Sequence, residues 1–169
     1  SVSLNEDGFK NIVISGSDPD GDNLRYILST YPSNGIVSLS GNTVKYTPSS
    51  NFNGLDSFSF YVSDGNLNSS NAKVSITVNP VNDQPVAEPQ SVTVVPGISK
   101  EIILSGFDID GDLLTYEVIS RAISFGDLFV SGNRATYTAK ENFIGIESFQ
   151  FVVNDGVINS SVAVISISG

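Results

Sequence analysis

"GNTVKYTPSSNFNGLDSFSFYVSDG", residues 41–65, decides the fold. Its segment DSFSFYVSD alternates apolar and polar side chains with a period of two, as a strand with one buried face does. TVKYT supplies β-branched and aromatic residues, while Asn53-Gly54 and Asp64-Gly65 have turn chemistry. The whole stretch recurs as "GNRATYTAKENFIGIESFQFVVNDG", residues 132–156. Tyr46 falls on Tyr137, Phe52 on Phe143, Gly54 on Gly145, Phe58 and Phe60 on Phe149 and Phe151, and Asp64-Gly65 on Asp155-Gly156.

The repeat extends in both directions. "NSSNAKVSITV" (68–78) matches "NSSVAVISISG" (159–169), and upstream Asp18 falls on Asp108, a shift of 90 residues. A period of that size is a domain repeat rather than a solenoid unit. Two domains are expected, 1–78 and 91–169, joined by the linker "NPVNDQPVAEPQ" at 79–90, whose prolines oppose helix and central-strand pairing and stiffen the connection. In the first repeat, strands are expected near 2–4, 10–15, 24–29, 36–39, 43–47, 57–62 and 72–78, and the second should follow the same plan. About seven short strands per repeat predict an all-β class: two tandem Ig-like Greek-key β-sandwiches. Their inner faces should bury Ile12, Ile14, Leu24, Tyr26, Phe58, Phe60, Val62, Val74 and Ile76.

Composition narrows the chemistry. Hydrophobic residues make up 40% of the 169 positions, enough for packed cores. Eighteen acidic residues against eight basic ones give a net charge of −10, which argues against a nucleic-acid backbone or an anionic membrane as partner. No apolar run approaches the roughly 20 residues needed to cross a bilayer. His, Cys, Met and Trp are all absent, which removes imidazole catalysis, thiolates, disulfides and soft metal ligands.

The acidic residues are concentrated. "SGSDPDGDNLRY" (15–26) places Asp18, Asp20 and Asp22 within five positions, and "SGFDIDGDLLTY" (105–116) does the same with Asp108, Asp110 and Asp112. Such spacing is repulsive unless a cation neutralises it. Hard cations take six to eight oxygen ligands, and a dense, flexible carboxylate cluster suits Ca²⁺ better than the stricter octahedral Mg²⁺. One aspartate fits a simple Asp-Gly turn; three in each of two copies do not. Asp64 and Asp155 follow an F-like strand, and in a seven-strand sandwich the B–C and F–G loops share one end. Asp64 should therefore approach Asp18 and Asp20, and Asp155 should approach Asp108 and Asp110.

"DPDGDNLRY", "YTPSSNFNGLDSFSFYVSDG" and "VNPVNDQPV" together resemble the bacterial cadherin-like repeat of large surface adhesins and biofilm proteins. The resemblance covers essentially the whole chain, twice. It implies cadherin-like, Ig-like sandwiches strung in tandem with Ca²⁺ at the junctions. "NDQP" is similar to the cadherin linker Asn-Asp-Asn-x-Pro but has Gln84 at the third ligand position. Carried over residue by residue, the pattern implies a junction built from Asp108, Asp110, Asp112 and Asp155, with Asn82 and Asp83 from the linker and Glu6 and Asp56 from the first repeat. Asp18, Asp20, Asp22 and Asp64 would face a preceding repeat. At the 90-residue shift Glu6 falls on Pro96, so the far end of the second repeat should be the poorer half-site.

The function expected is a calcium-binding extender module of a bacterial cell-surface adhesin, extracellular and not an enzyme. Its partners would be neighbouring repeats and a cell-surface or polysaccharide target, with the chain itself a monomer. The alternative is a carbohydrate-binding β-sandwich, which would show a solvent-facing row of Tyr or Phe on one sheet.

Overall fold

The computed structural model describes every residue, Ser1–Gly169. The chain divides into two compact units, Ser1–Val81 and Asn82–Gly169. Unit 1 holds β1 (Val2–Asn5), β2 (Lys10–Val13), β3 (Arg25–Thr30), β4 (Gly35–Ser40), β5 (Thr43–Pro48), β6 (Gly54–Ser63) and β7 (Ala72–Asn79). One sheet runs β1-β7-β6-β3 and the other β2-β5-β4. β1 pairs parallel to β7, with Val2 opposite Ile76, and the remaining pairs are antiparallel. The chain changes sheet between β1 and β2, and again between β2 and β3, as in an Ig-like Greek key. Neither unit contains a helix, so the all-β expectation holds.

Unit 2 repeats the plan with β9 (Gln90–Thr93), β10 (Ser99–Ile103), β12 (Thr115–Ala122), β13 (Gly126–Ser131), β14 (Arg134–Ala139), β15 (Ile146–Asn154) and β16 (Ala163–Ser168). Its sheets are β9-β16-β15-β12 and β10-β14-β13. It adds a two-stranded piece, β8 (Val86–Ala87) against β11 (Gly106–Phe107). Val86, Ala87 and Gln90 of the proline-bearing stretch therefore belong to strands of unit 2. Pro85 and Pro89 bracket β8, which is compatible with a two-residue edge strand that asks little of the ladder.

Alternation places the expected residues inside. Ile12, Ile14, Phe58, Phe60, Val62 and Ile76 are buried, and Leu24, Tyr26 and Val74 pack against them half-buried. Val44, Tyr46 and Val78 complete the same core. In unit 2, Tyr137, Phe149, Phe151, Ile165 and Ile167 occupy the equivalent places, with Leu104 and Phe143. Burying each such side chain contributes about 1.5–3 kcal/mol. Both units carry a bulge in the same place, between Leu28 and Thr30 and between Val118 and Ser120, an irregularity that sharpens strand twist.

Register corrects one alignment. Glu6 donates its N–H to the Asn79 carbonyl, and Val94 donates its N–H to the Ser168 carbonyl. Asn5 faces Asn79 and Thr93 faces Ser168, so Glu6 corresponds to Val94 and not to Pro96. Two extra residues lie between β9 and β10, where "NEDG" and "VPGI" share no identity to fix the alignment.

Candidate metal centre

The DxDGD loop is built by its own first aspartate. One carboxylate oxygen of Asp108 accepts the N–H groups of Asp110 at 2.9 Å and Asp112 at 3.3 Å. Gly111 sits at φ +82°, a left-handed position glycine fills without strain. Asp18 organises its loop in the same way, accepting from Asp20 at 2.8 Å and Asp22 at 3.2 Å, with Gly21 at φ +81°. The turn reading and the ligand reading thus use different oxygens. Asp108 is only 7% exposed, and its second oxygen is buried without a hydrogen-bond partner. An unpaired buried carboxylate oxygen forfeits its hydration for nothing unless a cation meets it. Asp108, Asp110 and Asp112 each bring a carboxylate oxygen within 4.8 Å of the others. The donor set is all oxygen, which fits a hard cation.

Asp155 comes from the loop after β15. One of its oxygens accepts the N–H groups of Val157 and Ile158, and the other accepts the Asn82 side-chain amide at 2.8 Å. Donation from the Ile158 N–H and then from Asn82 holds this carboxyl below the ordinary aspartate range. Asp83 donates its N–H to an Asp110 oxygen at 2.8 Å. The Gln84 amide reaches the Asn159 carbonyl at 2.7 Å. The departure at position 84 therefore ties the segment to the loop after β15. Residues 82–84 connect the two acidic loops of unit 2.

In unit 1, Asp18 and Asp64 line one cleft, together with Leu24, Val62 and Asn68. Asp64 caps its own loop through the N–H groups of Leu67 and Asn66, which lowers its pKa. Asp20 and Asp22 are exposed in the neighbouring turn. Glu6, at the end of β1, is 4% exposed. One of its oxygens accepts the Val81 N–H at 2.7 Å, and the other is buried without a partner. Val94 offers no carboxylate at the equivalent place in unit 2.

Asp56 is committed elsewhere. Its two oxygens accept from the N–H groups of Ser33, Asn34 and Ser57 and from the Tyr46 hydroxyl at 2.9 Å. Burial alone would raise its pKa; the four donors outweigh burial and hold it below the ordinary value. Four protein donors leave this carboxylate little capacity for a metal shell, contrary to the role the cadherin-like pattern implied for it. Unit 2 repeats the arrangement with Glu147, which accepts from the Ser124 and Phe125 N–H groups and from the Tyr137 hydroxyl. Burial, reinforced by the adjacent carboxylate, pushes both tyrosine hydroxyls far above the ordinary value, so they stay neutral donors. The signal for this latch was present in the sequence as an acid ten residues after the tyrosine in each copy, Tyr46 to Asp56 and Tyr137 to Glu147.

The comparisons with known proteins agree with this architecture. A family described as bacterial Ig domain matches residues 1–77 and again 82–168. Two proteins of Dictyostelium discoideum are similar in sequence. Integrin beta-like protein C is 33% identical over 140 residues, covering 68% of this chain and 7% of that protein. Integrin beta-like protein E is 26% identical over 160 residues, covering 83% and 8%. The chain thus spans less than a tenth of either relative. Among solved structures, human protocadherin-24 EC1-2 (form II) matches 99% of this chain and 92% of its own, at 15% identity and a TM-score of 0.64. At that identity the likeness is one of fold.

Proposed function

This chain belongs to the bacterial Ig domain family twice over, and from that premise we propose that it is a calcium-binding tandem extender module of a bacterial cell-surface adhesin. The observation that carries the reading is the buried, unpartnered oxygen of Asp108 inside a cluster of three carboxylates. Asp108, Asp110, Asp112 and Asp155 would hold the ion, with Asn82 and Asp83 beside them. Glu6, in unit 1, is a separate candidate because its own second oxygen is buried and unpaired. Asp18, Asp20, Asp22 and Asp64 form the parallel set in unit 1. Asp56 stands outside both sets, since the latch uses it.

A bound cation removes the repulsion among the loops and ties Asn82 and Asp83 to them. In this way calcium holds residues 82–84 against the acidic loops of unit 2. Extracellular modules bind Ca²⁺ with Kd of about 10⁻⁴–10⁻³ M, so the sites fill outside the cell and empty in a low-calcium compartment. No catalysis is proposed. The exposed aromatics Phe9, Tyr31 and Phe107 fall on separate segments, and Phe125 and Phe129 alone share one, at β13, which is short of the row a carbohydrate platform needs.

Calorimetric calcium titration of the chain, beside Asp110→Asn and Asp20→Asn, tests the reading. Each substitution should weaken a different ion. Loss of the same ion by both would show that the two DxDGD loops are not separate sites.

A further inference from the structure

The two units share the tyrosine latch but differ in what surrounds it. In unit 1 the latch borders a cavity of about 330 Å³, a size that suits a small ligand. Ser33, Asn34 and Asp56 line one end. Ser33 and Asn34 give Asp56 only their backbone N–H groups, so their side chains remain for a ligand. Ser57 and Ser75 stand opposite each other on β6 and β7 and form the floor, with exposed Leu55 beside them. Both serines point away from the core, because their chain neighbours Phe58 and Ile76 are buried in it. Lys73 closes the other end, on the same face of β7 as Ser75. It lies three residues from Ile76, the partner of Asp56, which is about 10 Å along a strand.

Charge divides this cavity. The chain's one ion pair joins Arg134 to Glu101 in unit 2, so the Lys73 ammonium has no carboxylate partner of its own. At the other end Asp56 is an anion whose two oxygens already accept four donors. Those donors use the lone-pair capacity of a carboxylate and leave nothing for an incoming ammonium. The cavity therefore takes a ligand with negative charge at Lys73, none beside Asp56, and hydroxyls between. Unit 2 keeps the serines and loses the charge. Ser148 and Ser166 face each other as Ser57 and Ser75 do, but Val164 stands opposite Gln150 where Lys73 stands opposite Ser59. Phe125 replaces Asn34 as an N–H donor to the latch carboxylate.

We propose that the cavity of unit 1 binds a hexuronic acid unit of an acidic polysaccharide. The sugar carboxylate pairs with Lys73, a charge-assisted contact. Its hydroxyls exchange hydrogen bonds with Ser57, Ser75 and the Asn34 amide, and its C–H face lies on Leu55. Recognition by charge and hydroxyls needs no row of aromatic rings. It is also independent of the calcium reading above.

The test uses the full chain, isotope-labelled for NMR, titrated in EGTA with trigalacturonic acid and with its methyl ester. EGTA keeps calcium from bridging the uronate to the acidic loops, so the outcome bears on the cavity alone. Saturable shifts are expected at Asn34, Ser57, Lys73 and Ser75, with none at Ser148 and Ser166. The ester, which keeps the hydroxyls and loses the charge, should bind about tenfold more weakly. Lys73→Gln, at an exposed side chain, should weaken binding of the acid about tenfold and abolish the preference for acid over ester. Equal affinity of the native chain for acid and ester, equal shifts in both units, or no saturable shifts at all would overturn the proposal.

Discussion

Asp108 is asked to do two things at once. One oxygen builds the loop by accepting two N–H groups, and the other waits, buried, for positive charge. Asp108→Asn keeps an oxygen for the loop and removes the buried charge. In EGTA this variant should match or exceed the native melting temperature, because the unpaired charge is gone. In calcium it should fall below the native protein. A uniform loss of stability in both media, measured by thermal denaturation, would mean that the charge serves the fold alone. Glu147 is a carboxylate of the opposite kind, with its partners supplied by the protein. Its folded pKa lies below the ordinary 4.5, so its contribution is complete above that value. The contribution disappears as pH falls from there through the lower folded pKa. Glu147→Gln should lose about 1–3 kcal/mol at neutral pH, measured by urea unfolding, and show a shallower acid dependence below pH ~4.5.

At the scale of elements, the Tyr137 ring is pinned between its hydroxyl's hold on Glu147 and the backbone of β13. A Cβ at Gly126 would stand 2.3 Å from the ring, and Gly35 meets Tyr46 in the same way at 2.7 Å. The ring cannot move aside without releasing its carboxylate. Gly126→Ala should therefore cost about 1–3 kcal/mol in chemical denaturation. A near-neutral result would show that the latch is slack. The strands themselves were readable because period-two alternation and turn residues coincide along β5, β6 and β7. The expected strand at 10–15 ends early, at Val13, although Ile14 still donates its N–H to the Asn42 carbonyl and is buried. The register of β1 was not readable. Glu6 and Val94 occupy one structural position, but the two-residue insertion before β10 lies in a stretch without shared residues. The ten-residue spacing pairs Tyr46 with Asp56, but it does not reveal that Asp56 also accepts the Ser33 and Asn34 N–H groups, because those donors come from a distant turn.

For the whole molecule, duplication gives each feature an internal control. The DxDGD loop, the Asp after the F-like strand, the bulge and the tyrosine latch all occur twice. What differs at the end of the first strand is Glu6, whose place in unit 2 is taken by Val94. The proposed function requires calcium in the Asp108 loop. Thermal unfolding of the whole chain in calcium and in EGTA, at matched ionic strength, tests it most directly. One ion at ten times its Kd adds about 1.4 kcal/mol, so the melting temperature should rise with calcium concentration. Asp108→Asn should lose most of that rise. Superimposable melting curves in calcium and EGTA would mean that the Asp108 loop binds no calcium.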